Sequence, residues 1–340
     1  MQEPKMDYLS KDRYLDIIEN EWYHTLVLLE NLINVETVKF YENRGIITMH
    51  LPITTGAVSS PMGRGSDSLP VKVNLCGVDT YLADSMQFML EYGCRMNPSG
   101  VYYIMPSFRG EKADERHLCQ FFHSEVEIPG KLEDIMKLAE DYIKHLSKSI
   151  CSKYGEMLKE KIGDISHLER VCKDGYEFKK ISFDDAEKIL IENFGKQNIR
   201  EYIVEIEDGI RTINSKGEKA LLKIFNEPLW ITHYDYLSVP FYQAKDENGK
   251  AKNADLLMGI GETVGSGERH YSQQGVLQAL EEHCVSKDGY EWYINMKKRY
   301  PIQTSGFGMG IERFLMWVLK AKDIRNMQIL VRFNGVSTEP

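Results

Sequence analysis

The 340-residue chain is 42% hydrophobic and 11% aromatic, enough apolar mass to bury a core and too much for a disordered polymer. Its 51 acidic against 42 basic residues leave a net charge of −9, which argues against a broad nucleic-acid footprint but allows a local basic patch. The six cysteines form no C-x-x-C pair, the N-terminus carries no apolar signal core and no long window is uncharged and apolar; the expectation is a cytoplasmic protein with reduced thiols and no membrane span.

In chain order, apolar residues recur at helical spacing from Asp12 to Tyr41, predicting one long helix. Ile46 to Leu51 reads as a short strand stopped by Pro52, and the Gly/Ser/Pro-rich stretch 54–70 as a mobile loop of a length suited to an active-site lid. Strands follow at Val71–Leu75, Tyr102–Phe108 and Phe121–Ile128, with helices at Asp84–Tyr92 and Leu132–Tyr154. Residues 153–225 read as a peripheral helical insertion, within which Ser182 caps a helix start. Strands return at Leu229–His233, Pro240–Ala244 and Asn253–Met258, with a turn signal at Asp246 to Gly249; Tyr271–His283 and Ile311–Lys322 are helical. No β-α-β alternation and no phosphate-binding G-x-x-x-x-G-K-[ST] is present, so an α+β fold on a mainly antiparallel sheet is expected.

Three segments carry chemistry. Phe108-Arg109-Gly110-Glu111 with Arg116-His117 is a charged loop between two strands, where a planar guanidinium can span phosphate oxygens. Gly306-Phe307-Gly308-Met309-Gly310 opens the helix holding Glu312 and Arg313; alternate glycines strip one strand face of side chains, so that a flat ring can lie against the backbone and Arg313 against the ring or a phosphate. Asp255 and Glu262, among glycines, are a carboxylate pair suited to Mg²⁺ held with ATP. An odd separation puts them on opposite faces of a flat strand, unless a bulge brings them together. Solvated loops and tight core turns explain each segment equally well alone. As a set they supply the positioning and charge that adenylyl transfer needs, with no protein nucleophile.

The set resembles class II aminoacyl-tRNA synthetases of the aspartyl/asparaginyl branch. Phe108-Arg109-x-Glu111 with Arg116-His117-Leu118 resembles motif 2, Gly306-x-Gly308-x-Gly310-x-Glu312-Arg313 resembles motif 3, and Pro52 resembles the motif 1 proline of a homodimer interface. Tyr81 to Gln87 resembles the branch's substrate-binding segment, and Ile324 to Arg332 its terminal one. The resemblance implies the class II fold, an antiparallel sheet flanked by helices, with ATP and Mg²⁺ as cofactors. It implies Arg109 on the α-phosphate, Glu111, Arg116 and His117 on ATP, Arg313 stacked on adenine, and Asp255 and Glu262 on the metal. Ser85, Gln87, Glu125 and Arg269 would bind the amino acid.

Leu90 stands where aspartyl enzymes carry a lysine, and motif 1 begins without the anticodon-binding OB-fold of roughly a hundred residues that precedes it in these ligases. The marks Ser85-Met86, Glu227 to Trp230 and Asn253-x-Asp255 most resemble the archaeal-type asparagine synthetases, paralogues lacking that domain. A single catalytic domain is therefore expected to activate aspartate on its side-chain carboxylate and pass it to ammonia, with tRNA not a partner. Glu125 would then face the α-ammonium and Arg269 the α-carboxylate, while His233 would deprotonate incoming ammonium. Transfer to another amine or a thiol, or to tRNA, stands as the alternative. His123 and His270 are assigned to packing.

Overall fold

The computed structural model describes residues 3–5, 7–59, 68–207 and 209–338. The first helical stretch is two helices, α1 (Arg13–Glu19) and α2 (Glu21–Glu42). They part at Asn20, whose extended backbone and side-chain bond from the Trp22 amide (2.9 Å) cap α2; a local cap overrides the continuous periodicity. After them come β1 (Ile47–Thr48), β2 (Thr54–Thr55), β3 (Val71–Leu75), β4 (Val78–Leu82), α3 (Gln87–Gly93), β5 (Val101–Phe108) and β6 (Gln120–Pro129). The middle supplies α4 (Leu132–Ile162), α5 (Ser166–Val171), β7 (Lys179–Ser182), α6 (Phe183–Phe194), β8 (Ile203–Glu207), β9 (Ile210–Ile213) and α7 (Ser215–Phe225). The chain closes with β10 (Leu229–Thr232), β11 (Asn253–Met258), β12 (Gly261–Glu268), α8 (Gln273–Glu282), α9 (Glu291–Arg299), β13 (Thr304–Gly310) and α10 (Ile311–Leu319).

Eight strands form one sheet in the order β1-β5-β6-β13-β12-β11-β10-β7, antiparallel except for the outermost pairs β1–β5 and β10–β7. Side-chain alternation divides it into two faces. Val126, Val264, Phe307 and Met309 point into the main core, which Leu26, Leu29, Tyr142 and Ile143 of α2 and α4 complete. Their strand neighbours Glu125, Glu127, Gly306 and Gly308 point the other way. On that opposite face, separate apolar clusters under α3 and under α8–α9 wall in a polar floor. No helix among the described residues is long and apolar enough to cross a membrane.

Several local expectations change. The helix expected from Asp84 starts at Gln87, because the Asp84 and Ser85 side chains are taken by Ser59 and Glu125. Pro240 to Ala244 is not a strand; its backbone pairs with β12's continuation through an isolated bridge between Gln243 and Arg269. Residues 153–162 finish α4, and Leu158, Ile165, Leu168 and Val171 belong to the main core, so the stretch 153–225 is not peripheral at its start. Of the expected loop 54–70, residues 60–67 lie outside the described residues.

Candidate active site

Two adjoining hollows open on the polar face of the sheet and share Arg109, His123, Glu262 and Gly308. The first also holds Glu111, Arg116, His117 and Arg313; the second holds Ser85, Gln87, Glu125, Arg269 and Asp255. Except for His233, the residues singled out from the sequence thus converge on one connected cleft.

In the first hollow Arg109 stands at the end of β5 with its guanidinium 5.5 Å from the Phe121 ring, and its Nε is buried without a partner among the described residues. Glu111, 3.8 Å from Arg109, accepts from the Leu69 amide at 3.0 Å, which ties the far end of the 54–70 stretch to this loop. His117 is fixed by Asp114 at 2.9 Å. Arg313 donates to the Glu262 carbonyl at 2.6 Å from the first turn of α10. Phe121 lines the same hollow as Arg313, so a planar base can lie between ring and guanidinium. Phe121 was not picked out from the sequence, where it is one aromatic in a strand. Glu312 is a structural residue: buried, it accepts from the Phe122 amide (3.1 Å) and from Gln328 (2.7 Å).

The carboxylate pair meets by a route only half anticipated. Asp255 and Glu262 lie on different strands of the β11–β12 hairpin, and the register shifts at Leu256/Leu257, so that Glu262 pairs with Leu257 and Val264 with Leu256. The extra residue, Thr263, turns Glu262 onto the face of Asp255. Both then overhang Gly265: a Cβ there would sit 2.8 Å from the Glu262 Oε1 and 3.8 Å from the Asp255 Oδ1. Burial, then the Glu262 charge, raises the Asp255 carboxyl well above the usual range. Two crowded, half-buried carboxylates, with phosphate oxygens for the remaining positions, are a donor set that fits Mg²⁺. A third acid, Glu218 of α7, bonds Arg116 at 2.7 Å beside them, and no sequence pattern marked it.

The second hollow is built around two acid–base pairs on neighbouring residues of one strand face. Arg269 donates through Nε and Nη2 to Glu127 (3.1 and 3.0 Å), both side chains being almost completely buried. Burial raises the Glu127 carboxyl and the guanidinium opposes it. Glu125 accepts from Ser85 at 2.6 Å and from Tyr103, with His123 at 3.2 Å. Burial pushes this carboxyl up, but the bonds from His123, Ser85 and Tyr103 outweigh it, and the net shift is downward. Gly306 and Gly308 make room for these groups: a Cβ would lie 1.8 Å from the Glu127 Oε2 at Gly306 and 3.0 Å from the Glu125 Oε1 at Gly308. Gly306 thus clears space for a buried ion pair, not for a nucleotide ring as its spacing had suggested. Gln87 lines the same hollow with its side-chain amide toward Tyr242.

Two histidines lie elsewhere than the sequence suggested. His233, expected as a base, lines neither hollow; it holds a left-handed backbone (φ 59°) beyond β10 with Nδ1 on the Thr232 hydroxyl at 2.9 Å. His123, assigned to packing, lines both and also meets the Ser107 hydroxyl at 2.9 Å. The signal was available: it lies two residues from Glu125 on the same strand face. His270 does pack, its Nε2 2.9 Å from the Phe241 carbonyl and burial holding its pKa down at about 4.

Residues 5–334 match the family of tRNA synthetases class II (D, K and N). The chain is 29% identical over 330 residues to an asparagine–tRNA ligase of Koribacter versatilis, covering 95% of this chain and 72% of that protein. It is 30% identical over 301 residues to a probable cytoplasmic asparagine–tRNA ligase of Enterocytozoon bieneusi, covering 86% of this chain and 62% of that one. Among solved structures, asparaginyl-tRNA synthetase of Pyrococcus horikoshii complexed with asparaginyl-adenylate superimposes with a TM-score of 0.85 at 25% identity, over 97% of this chain and 73% of that chain. All three are tRNA ligases by name, which runs against the expectation that tRNA is not a partner.

Proposed function

The chain belongs to the class II tRNA synthetases of the D, K and N group, and from that premise we propose that it activates asparagine as its adenylate and passes the asparaginyl group to tRNA. The observation that carries this reading is the set of charges at the end of the amino-acid hollow. Glu125 is an ionised acceptor, Arg269 a donor already neutralised by Glu127, and the fully buried Leu90 supplies no further cation. A carboxamide meets such an end as donor to Glu125 and acceptor from Arg269. A side-chain carboxylate would instead face Glu125 as a like charge.

The α-carboxylate then points toward Arg109. Its oxygen forms a bond to the α-phosphorus as the bond from that phosphorus to the pyrophosphate oxygen breaks. Arg109 stabilises the charge gathering on the α-phosphoryl oxygens, and Arg116 and His117 orient the outer phosphates. Arg313 and Phe121 hold the adenine, and Glu111 contacts the nucleotide. Asp255 and Glu262 would hold Mg²⁺, which supplies charge neutralisation to the phosphates when bound. The reading extends to a cytoplasmic homodimer, in which the exposed Val27, Leu28, Val35 and Val38 of α2 meet a second copy.

A second reading rests on the same pair. Glu125 and Arg269 also complement the α-ammonium and α-carboxylate of aspartate, which would turn its side-chain carboxylate to ATP and yield asparagine from ammonia. Amino-acid-dependent ATP–pyrophosphate exchange, followed by assays for acylated tRNA and for free amide, separates the two. Exchange with asparagine and asparaginyl-tRNA as product are expected. Exchange with aspartate alone and a β-hydroxamate on trapping with hydroxylamine would replace the first reading by the second, and an adenylate captured only by another amine or a thiol would replace both acceptors. Absence of exchange with any amino acid would defeat adenylation altogether.

A further inference from the structure

The pair formed by Arg116 and Glu218 joins parts of the chain that the sequence gives no reason to connect. Arg116 belongs to the loop between β5 and β6; Glu218 lies in the first turn of α7, whose N-terminus Asn214 caps by accepting from the Lys216 and Gly217 amides. The bond is 2.7 Å, and the two side chains are only 11% and 15% exposed. Gly261, with φ +151°, permits the approach: a Cβ there would lie 2.2 Å from the Glu218 Oε2 and 2.8 Å from the Arg116 Nη2. One arm of the guanidinium is thus held while Nε and Nη1 are buried without partners among the described residues, in the hollow that Arg109 and Arg313 also line.

Buried donors without acceptors call for a ligand that brings oxygens. We propose that Glu218 is a positioning residue for ATP, clasping one arm of Arg116 so that its remaining donors face the outer phosphates. This rests on the reading above, in which Arg116 contacts those phosphates. A carboxylate beside a polyphosphate is repulsive in itself. Against that, a long loop side chain loses much rotamer freedom on binding, and Glu218 imposes that order before ATP arrives. Burial and the neighbouring Glu262 raise the Glu218 carboxyl, while Arg116 opposes them, so the acid depends on its arginine as well. Through this bond α7 becomes part of the nucleotide site.

ATP–pyrophosphate exchange on the full chain, varying ATP and the amino acid separately, tests the proposal on wild type, R116A, E218Q, E218D and the R116A/E218Q double variant. E218Q is expected to raise the KM for ATP about tenfold while the KM for the amino acid stays within about twofold. E218D, which keeps the charge, should recover part of that loss, and E218Q should add nothing to R116A. An unchanged or lowered ATP KM in E218Q, or full additivity in the double variant, overturns the positioning role. If R116A is impaired and E218Q is not, the role of Glu218 alone fails; if R116A also binds ATP normally, the phosphate assignment of Arg116 fails with it. Should E218Q not fold by thermal melt, E218A decides: a wild-type ATP KM without the acid contradicts the clasp.

Discussion

At the scale of single residues, the chemistry falls on groups whose burial leaves them dependent on a partner. Arg109 has one such donor, its Nε, unpaired among the described residues at the junction of the two hollows. Replacing it with lysine keeps the charge and loses the fork, so Arg109→Lys should lower kcat for exchange by about 10²-fold, the order seen when a transition-state donor is lost. A wild-type kcat would remove Arg109 from the α-phosphate. Residues of this kind were legible only as an ordered set, because each segment alone reads equally well as a solvated loop or a core turn. Histidines were not legible, since one histidine serves equally as packing or ligand, and only the strand face separates His123 from His233. Glu218 could not be read at all: its partner is Arg116, 102 positions earlier, and no periodicity links a helix turn to a distant loop.

At the scale of elements, strand alternation did most to make the site legible. The 120–129 strand shows Glu125 and Glu127 on one face, and β13 shows glycines opposite them, Gly306 across from Glu127 and Gly308 across from Glu125. The two glycines differ in tolerance. Gly306→Ala drives a methyl into the Glu127–Arg269 pair and the Val126 carbonyl (2.7 Å), whereas Gly308→Ala only crowds a carboxylate end. Gly306→Ala should therefore raise the amino-acid KM well over tenfold and lower Tm, and Gly308→Ala should do both to a lesser degree. Equal effects in parallel melts and kinetics would contradict the assigned packing. Helix α2 carries a separate test. Burial, and then the charge of Glu312, raises Glu30 to about 7. The folded state thus keeps this proton to higher pH than the unfolded chain, and stability is lost as pH rises from the ordinary carboxylate range through 7. Glu30→Gln should gain about 2 kcal/mol at pH 8, allowing for partial exposure, and nothing near pH 4. A melt showing the gain at both pH values would refute the burial argument. The hairpin register and the Asn20 break were illegible for a shared reason, since each depends on one residue overriding a period that extends on both sides of it.

At the scale of the whole molecule, the sheet orients everything: one face is sealed by α2 and α4, and the other is left polar between two smaller apolar clusters. The absence of β-α-β alternation was enough to expect this antiparallel architecture. The parallel outer pairs were not foreseen: the strand read at Ile46 to Leu51 carries no mark of its partner, and β7 is too short to read as a strand. The amino-acid hollow opens from a chain whose net charge is −9. Glu127 cancels Arg269 within hydrogen-bond distance, and asparagine as a zwitterion carries no net charge, so its encounter with the protein senses almost no long-range field. Aspartate, with one negative charge, approaches an acidic body and is repelled until salt screens it, the Debye length falling to about 10 Å at 0.1 M. Kinetic runs at increasing ionic strength should leave the KM for asparagine flat and lower any KM for aspartate. The acidic surface would then act as a filter that disfavours the charged analogue before it reaches the pocket.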